Sequence, residues 1–352
     1  MKIHNFGAGP CILPQEVFTK AAEAVLNLDG SGLSILEISH RSAAFDEILA
    51  NTKQLVKELL HVPDGYQILF LQGGASLQFS MLPMNYLPEQ GKAAYLDTGV
   101  WSSKAIKEAK LFGNTKIVAS SSDKNYSYIP KHYTVPEDAV YFHITTNNTI
   151  YGTELFETPV SPVPLVADMS SDIFSREINI ADYDLVYAGA QKNMGPAGAT
   201  LVIVKDSFLE RSVRKVPSML DYTVHAKNDS LYNTPPVYPI YVSMLNLQWL
   251  KAQGGIPAIE AINQEKATLL YNEIDRHPLF TGNVTTEDRS RMNVTFSAVD
   301  AEAESRFLAR CKETGIHGIK GHRLSGGFRA SLYNALPLSS VQHLVEVMQA
   351  FQ

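Results

Sequence analysis

Lys192 lies in the segment Leu185-Val186-Tyr187-Ala188-Gly189-Ala190-Gln191-Lys192-Asn193-Met194-Gly195-Pro196, where an apolar run of strand character delivers one lysine into a turn rich in glycine and proline. Asp168 ends a second apolar run, Pro164-Leu165-Val166-Ala167-Asp168, 24 residues earlier. Taken singly, a strand-end lysine is commonly a solvated cap and an aspartate there commonly opens a turn. Presented together from the ends of neighbouring strands, the two meet the needs of pyridoxal phosphate (PLP) chemistry. The amine forms a Schiff base with the aldehyde, and the carboxylate keeps the pyridine nitrogen protonated so that the ring accepts electrons.

Other segments supply groups of the right type. Gln72-Gly73-Gly74-Ala75-Ser76 follows an apolar run and precedes a helical pattern. Its glycines let backbone N–H groups approach an anion at a helix N-terminus. The turn lacks the spacing of the dinucleotide fingerprint and the lysine of a P-loop, which disfavours nucleotide binding. Trp101 follows a strand end and either stacks on a flat ring or fills a core gap. Thr149, in Asn147-Asn148-Thr149, either bonds a ring oxygen or caps a turn. Two His-Arg pairs, His40-Arg41 and His322-Arg323, are joined by Arg329. Planar guanidinium forks bind carboxylate or phosphate through two bonds, so these arginines read either as an anion pocket or as surface ion pairs.

The elements that must position these groups alternate along the chain. Between residues 65 and 205, the runs Ile68–Leu71, Ala93–Leu96, Ile117–Ala119, Ala139–Phe142, Leu165–Ala167, Leu185–Ala188 and Leu201–Val204 read as buried strands. Segments such as Ser102 to Phe112 separate them, which indicates an α/β fold with a mostly parallel sheet flanked by helices. The pattern changes at Gly254-Gly255 to long helices and a few alternating strands. Val341, Leu344, Val345, Met348 and Phe351 recur at helical spacing, so the final segment is expected to be an amphipathic helix packed on a smaller α+β domain.

Bulk properties exclude other classes. The 352 residues are 45% hydrophobic and 19% charged, ordinary for a globular protein of two or three domains. A net charge of −6, with no basic block, argues against nucleic-acid or anionic-membrane partners. Cys11 and Cys311 stand far apart and offer neither a disulfide framework nor a metal site, which suits a reducing, cytoplasmic compartment. No signal peptide or membrane span is expected.

Taken together, these segments make the chain resemble the phosphoserine aminotransferase family, class-V members of the fold-type-I PLP enzymes. The likeness runs in order through Asn5-Phe6-Gly7-Ala8-Gly9-Pro10, Ser39-His40-Arg41, Gln72–Ser76, Ala190–Pro196 and Asn233-Thr234-Pro235-Pro236, then Lys320-Gly321-His322-Arg323 and Arg329–Ala335. It implies a large PLP-binding domain over 16–255 and a small domain from 1–15 and 256–352. Lys192 would hold one PLP per subunit through a Schiff base, and Asp168 would pair with its ring nitrogen. Trp101 would stack on the ring and Thr149 bond its phenolic oxygen, while Ala75, Ser76 and Gln191 receive its phosphate. Asn233 and Thr234 would complete that phosphate site from the other subunit of a homodimer with shared active sites. Arg329 would grip the substrate α-carboxylate, and His40 and Arg41 from the other subunit would join His322 and Arg323 around the distal anion. The implied reaction is amino transfer from L-glutamate to 3-phosphohydroxypyruvate in serine biosynthesis, with the related step of pyridoxine biosynthesis left open. A desulfurase would need a mobile cysteine, a dehydrogenase its glycine fingerprint, and an alanine or glyoxylate transaminase fewer distal cations.

Overall fold

The computed structural model describes residues 2–352. Its main sheet has seven strands: β1 (Tyr66–Leu71), β2 (Lys92–Asp97), β3 (Asn114–Ser120), β4 (Phe142–Thr145), β5 (Leu165–Asp168), β6 (Leu185–Gly189) and β7 (Thr200–Lys205). They lie in the order β1-β7-β6-β5-β4-β2-β3. The period-2 alternation of side chains divides the sheet's residues between two apolar layers. Phe70, Ala94, Ile144, Ala167, Val186 and Leu201 join one layer. Leu69, Tyr95, Val166, Leu185, Tyr187 and Val202 join the other. Both faces are thereby buried, which is why β5 and β6 read in the sequence as unbroken apolar runs.

Three strands depart from the sequence-based expectation. β7 pairs antiparallel with both β6 and β1. The connection from β6 contains no crossover helix, so the chain returns directly beside the strand it left. β3 forms at the expected place but is not buried: it is an edge strand with Ile117 41% exposed, because it pairs with β2 alone. β4 starts at Phe142 rather than Ala139. The turn bond from Ala139 N–H to Pro136 O precedes it, although Val140 and Tyr141 already bond the backbone of β2.

The helices that matter here are α1 (Ala43–Leu59), α2 (Gly74–Tyr86), α3 (Val100–Ala109), α4 (Val237–Ala252), α5 (Gly255–Arg276), α6 (Ala301–Glu313) and α7 (Leu338–Gln349). Ser42 caps α1 by accepting from Phe45 N–H, and Asp300 caps α6 by accepting from Ala303 N–H. A second apolar cluster gathers beyond residue 255. There β8 (Phe280–Gly282), β9 (Asn293–Ala298) and β10 (Phe328–Ser331) form an antiparallel sheet. Phe296, Phe307, Phe328, Val341 and Leu344 are wholly buried in it. Phe351 lies just past the end of α7 and stacks on Phe280 with ring centroids 5.9 Å apart. The N-terminal segment joins this cluster: His4–Asn5 pairs parallel with Ile316–His317, and Phe6 is fully buried among the same residues. None of the described helices is long and apolar enough to cross a membrane.

α4 braces the turn after β6. Asn246 donates to the carbonyls of Asn193 (3.0 Å) and Met194 (2.9 Å). Gly195 passes so close to this helix that an added Cβ would lie 2.3 Å from Ser243 Oγ and 3.1 Å from Ser243 Cα. We therefore expect Gly195→Ala to destabilise the protein by about 1–3 kcal/mol through overpacking. Urea denaturation would read this as a lower midpoint with an unchanged slope.

Candidate active site

The site forms where β1, β2, β4, β5 and β6, which all run in one direction, end on the same edge of the sheet. Carboxyl ends of strands are where open α/β sheets bind ligands, because the diverging loops leave a crevice. Here they surround a cavity of about 400 Å³ whose lining includes Gly73–Ser76, Trp101, Thr149, Asp168, Gln191, Lys192, His322 and Arg329. A larger groove of about 630 Å³ lies elsewhere, but its lysine, Lys131, is exposed and paired with Asp288 at 3.4 Å.

Each group has a local reason for its place. Gly73 and Gly74 adopt φ of +85° and +62°, which turns the chain from β1 into α2. The first-turn N–H groups of α2 then face the cavity without intrahelical acceptors. Trp101 stands in the first turn of α3. The entry to that helix is fixed by Ser102 Oγ, which accepts from the N–H groups of Thr98 (2.9 Å) and Gly99 (3.0 Å). Below it, the buried Asp97 carboxylate accepts from the hydroxyls of Ser102, Ser103 and Ser120. Gly9 brings the N-terminal segment to within van der Waals reach of Lys192, and Cys11 N–H bonds Gln191 O at 3.0 Å.

Lys192 Nζ donates to Thr149 Oγ1 at 2.7 Å. Thr149 Oγ1 in turn donates to Ser171 Oγ at 3.0 Å, and Ser171 is held by Asn147. Lys192 has no carboxylate within ion-pair distance among the described residues. Burial pulls its pKa from 10.5 to about 8; the charge of Asp168 pushes it up, and that of Arg329 pushes it further down. The buried Asp168 accepts from Ser170 N–H at 3.0 Å. Burial raises its pKa, opposed by the Ser170 bonds and by Lys192. Arg329, on β10, donates to Thr149 O at 3.2 Å, while its Nε is buried with no partner. The Nε1 of Trp101 and Oγ1 of Thr145 are likewise buried and unsatisfied. Buried polar atoms are rarely left so, and three of them around one cavity mark a place built for a polar occupant.

The structure brings together Ala75, Ser76, Trp101, Thr149, Asp168, Gln191, Lys192, His322 and Arg329 of the residues singled out in the sequence. It does not bring in the others. Arg323 is exposed beside His322. His40 and Arg41 precede α1 and do not line the cavity. Asn233 and Thr234 lie on the surface against Gln72: Asn233 donates to Gln72 Oε1, and Gln72 donates to Thr234 O, both at 3.2 Å. Sequence reasoning missed Lys104, whose Nζ sits 4.5 Å over the Trp101 ring. With Arg329 and Arg323, and after burial itself, Lys104 holds the His322 pKa down. Its position three residues after Trp101 in a helical pattern was the available signal. Cys11, which looked remote in sequence, donates its thiol to the Lys192 carbonyl. Burial pushes that thiol up to about 12, so it is held protonated and is no nucleophile.

A sheet of this topology with an unpaired lysine at its carboxyl edge, opposite a buried aspartate, defines a PLP-dependent transferase class. The donor set fits the cofactor: glycine-turn amides for a phosphate, an indole for a ring, an aspartate for a ring nitrogen and an amine for an aldehyde. Comparison with known proteins agrees. Residues 3–344 match the class-V aminotransferase family. The chain is 60% identical to the phosphoserine aminotransferase of Flavobacterium johnsoniae, over 100% of this chain and 99% of that protein. It also superposes on the phosphoserine aminotransferase of Bacillus circulans subsp. alkalophilus with a TM-score of 0.97 at 44% identity, covering 99% of this chain and 98% of that one. A PLP-bound phosphoserine aminotransferase from Trichomonas vaginalis gives a TM-score of 0.95 at 38% identity, over 99% and 100% of the two chains. The chain belongs to the class-V aminotransferases and, within them, to the phosphoserine aminotransferase family.

The depressed lysine is testable in the apo-protein. The folded site releases the Lys192 proton near pH 8 and the unfolded chain near 10.5. Between those values the unfolded state binds more protons, so this group's contribution to stability rises with pH; below pH 8 the cost of burying the charge is fully present. Acylation of Lys192, followed by peptide mass spectrometry across pH, should be half-maximal near 8. Since Asp168 favours the charged amine, Asp168→Asn should move that midpoint lower still. A midpoint near 10.5 in the native protein would show an amine exposed to water.

Proposed function

We propose that this chain transfers an amino group reversibly from L-glutamate to 3-phosphohydroxypyruvate, giving O-phospho-L-serine and 2-oxoglutarate, with PLP held at Lys192. The observation that carries this reading is one cavity holding an amine depressed to about 8 and an arginine without a carboxylate partner. An amine whose pKa falls from 10.5 to about 8 is deprotonated far more readily than a free lysine and so can act as nucleophile and base, and an unpaired guanidinium receives a carboxylate. When bound, PLP supplies the electron sink that makes the substrate Cα–H acidic.

The chain's own residues do the rest. Lys192 Nζ takes and returns the proton at the substrate Cα. Asp168 would hold the proton on the ring nitrogen. Trp101 would pack on the ring face, Thr149 would bond its phenolic oxygen, and Ala75, Ser76 and Gln191 would receive its phosphate. Arg329 orients the α-carboxylate through its free guanidinium edge. Arg323 and Lys104 supply the positive charge of a rim for the distal phosphate or carboxylate, with His322 beside them as a hydrogen-bond donor. An oxyanion is common to both substrates, so one rim serves both, and the more highly charged phosphate gains more from it.

The remaining predicted residues lie outside the cavity, with Arg41 and Thr234 exposed and His40 and Asn233 half-buried, where a second subunit could cover them. Asn233 and Thr234 of the partner subunit complete the cofactor-phosphate site, and His40 and Arg41 of the partner subunit complete the distal rim. The apolar clusters support a large and a small domain, which we divide as 16–255 and 1–15 with 256–352, although Leu13, Ile256 and Ile259 pack with the large-domain cluster. The location in keeping with this chemistry is the cytoplasm.

The test is the visible spectrum of the PLP-loaded protein during titration. O-phospho-L-serine and L-glutamate should bleach the cofactor band, and L-alanine should hardly do so. A response chiefly to alanine would overturn the substrate, and the absence of any band after PLP addition would overturn the enzyme reading. We further expect Arg41→Ala and Arg323→Ala to weaken phosphorylated substrates by about tenfold or more while leaving alanine turnover nearly unchanged. Equal losses in steady-state kinetics would count against the distal rim.

A further inference from the structure

Lys266, in the middle of α5, is wholly buried and does not line the cavity. No carboxylate pairs with it among the described residues. Its Nζ donates instead to three backbone carbonyls of one turn: Leu332 O at 2.8 Å, Tyr333 O at 2.9 Å and Leu336 O at 3.2 Å. An ammonium has three protons and no acceptor, so this arrangement uses all of its bonding capacity on the segment that follows β10. A buried cation costs a great deal to keep, and here the return is the shape of one turn.

That turn reaches the catalytic lysine by two routes. Asn334 N–H donates to Asn193 Oδ1 at 3.0 Å, and Asn193 is the residue after Lys192. Asn193 is also fastened by its own amide to Ser171 O (3.3 Å) and by Asn246 to its carbonyl (3.0 Å). The Asn334 side chain is fixed by Asn263 at 2.9 Å and by its bond to Phe174 O at 2.9 Å. On the other route, Tyr333 OH donates to Ala8 O at 2.9 Å, on the cavity wall beside Gly9.

We propose that Lys266 is a positioning residue for the transamination: by drawing three carbonyls onto one ammonium it fixes the 332–336 turn, which through Asn334 and Asn193 sets the backbone from which Lys192 projects. Burial pulls the Lys266 pKa down to about 7, and the three carbonyl bonds are what favour the charged form against that cost. The proposal rests on Lys192 being the reacting amine. If that assignment fails, Lys192→Ala retains turnover, a result separate from anything the Lys266 variants can show.

The experiment uses Lys266→Met, which keeps length and removes the charge. In the PLP-loaded protein, kcat should fall by about tenfold, as expected when a reacting group is misplaced by a fraction of an ångström. KM for L-glutamate and O-phospho-L-serine should stay within about twofold, since the binding groups are untouched. In the apo-protein, hydrogen exchange at the Asn334 amide should accelerate. Asn193→Ala should lower kcat comparably, and the double variant should be no worse than the more affected single one, because both act through one link. A folded Lys266→Met with wild-type kcat overturns the proposal even if its melting temperature is lower, and so does strict additivity of the two losses. Should Lys266→Met fail to accumulate folded, Asn193→Ala alone decides: a loss of kcat at steady KM supports the link, and wild-type kcat overturns it.

Discussion

Everything in this site depends on holding two half-buried basic groups, Lys192 and Arg329, without giving either a carboxylate of its own. Desolvation disfavours their charged forms, and the two repel each other across the cavity. The protein accepts that cost by surrounding them with hydroxyls and carbonyls: Thr149 offers its Oγ1 to the lysine and its carbonyl to the arginine. One residue thus holds both groups while neutralising neither. Had an aspartate stood at 149, the amine would be a bound ammonium and the guanidinium a closed ion pair.

The same constraint explains the polar scaffolding behind the cavity. Ser171, Asn147, Ser290 and Asn293 form a chain of buried neutral hydrogen bonds. Neutral donors and acceptors fix geometry without adding charge, so the charges acting in the cavity are those of Lys192, Asp168 and Arg329, with Asp172 acting on the first two from behind. Where full charges are buried nearby, they are grouped apart: Arg176 lies between Glu154 and Asp172 at 3.3 and 3.6 Å.

Much of this was legible in the sequence because it rests on local patterns. The apolar runs of β5 and β6 and their terminal Asp168 and Lys192 are adjacent in the chain to the turns that expose them. The glycine pair before α2 announces its own left-handed backbone. What could not be read is what depends on distant partners. The reversed direction of β7 follows from a missing crossover helix, and the exposure of β3 from its place at the edge, neither of which periodicity encodes. Cys11 and Lys104 reach the site only because the N-terminal segment and α3 fold over it, and Lys266 resembles any lysine of an amphipathic helix until its three carbonyls are seen. His40 and Arg41, singled out as a His-Arg pair, and Asn233 and Thr234, singled out by resemblance, lie outside the cavity of a single chain, where no intrachain pattern could have placed them.

The pairing of His4–Asn5 with Ile316–His317 has a consequence for how the protein is made. His4 and Asn5 must wait for partners more than 300 positions later in the chain before Gly9 can settle against the lysine turn. At ordinary synthesis rates that delay is on the order of 15–60 s. During it, the main sheet can assemble while Phe6 has no apolar cluster to enter. A nascent chain therefore cannot present a finished cofactor cavity until residues 316–317 have been made and have left the ribosome.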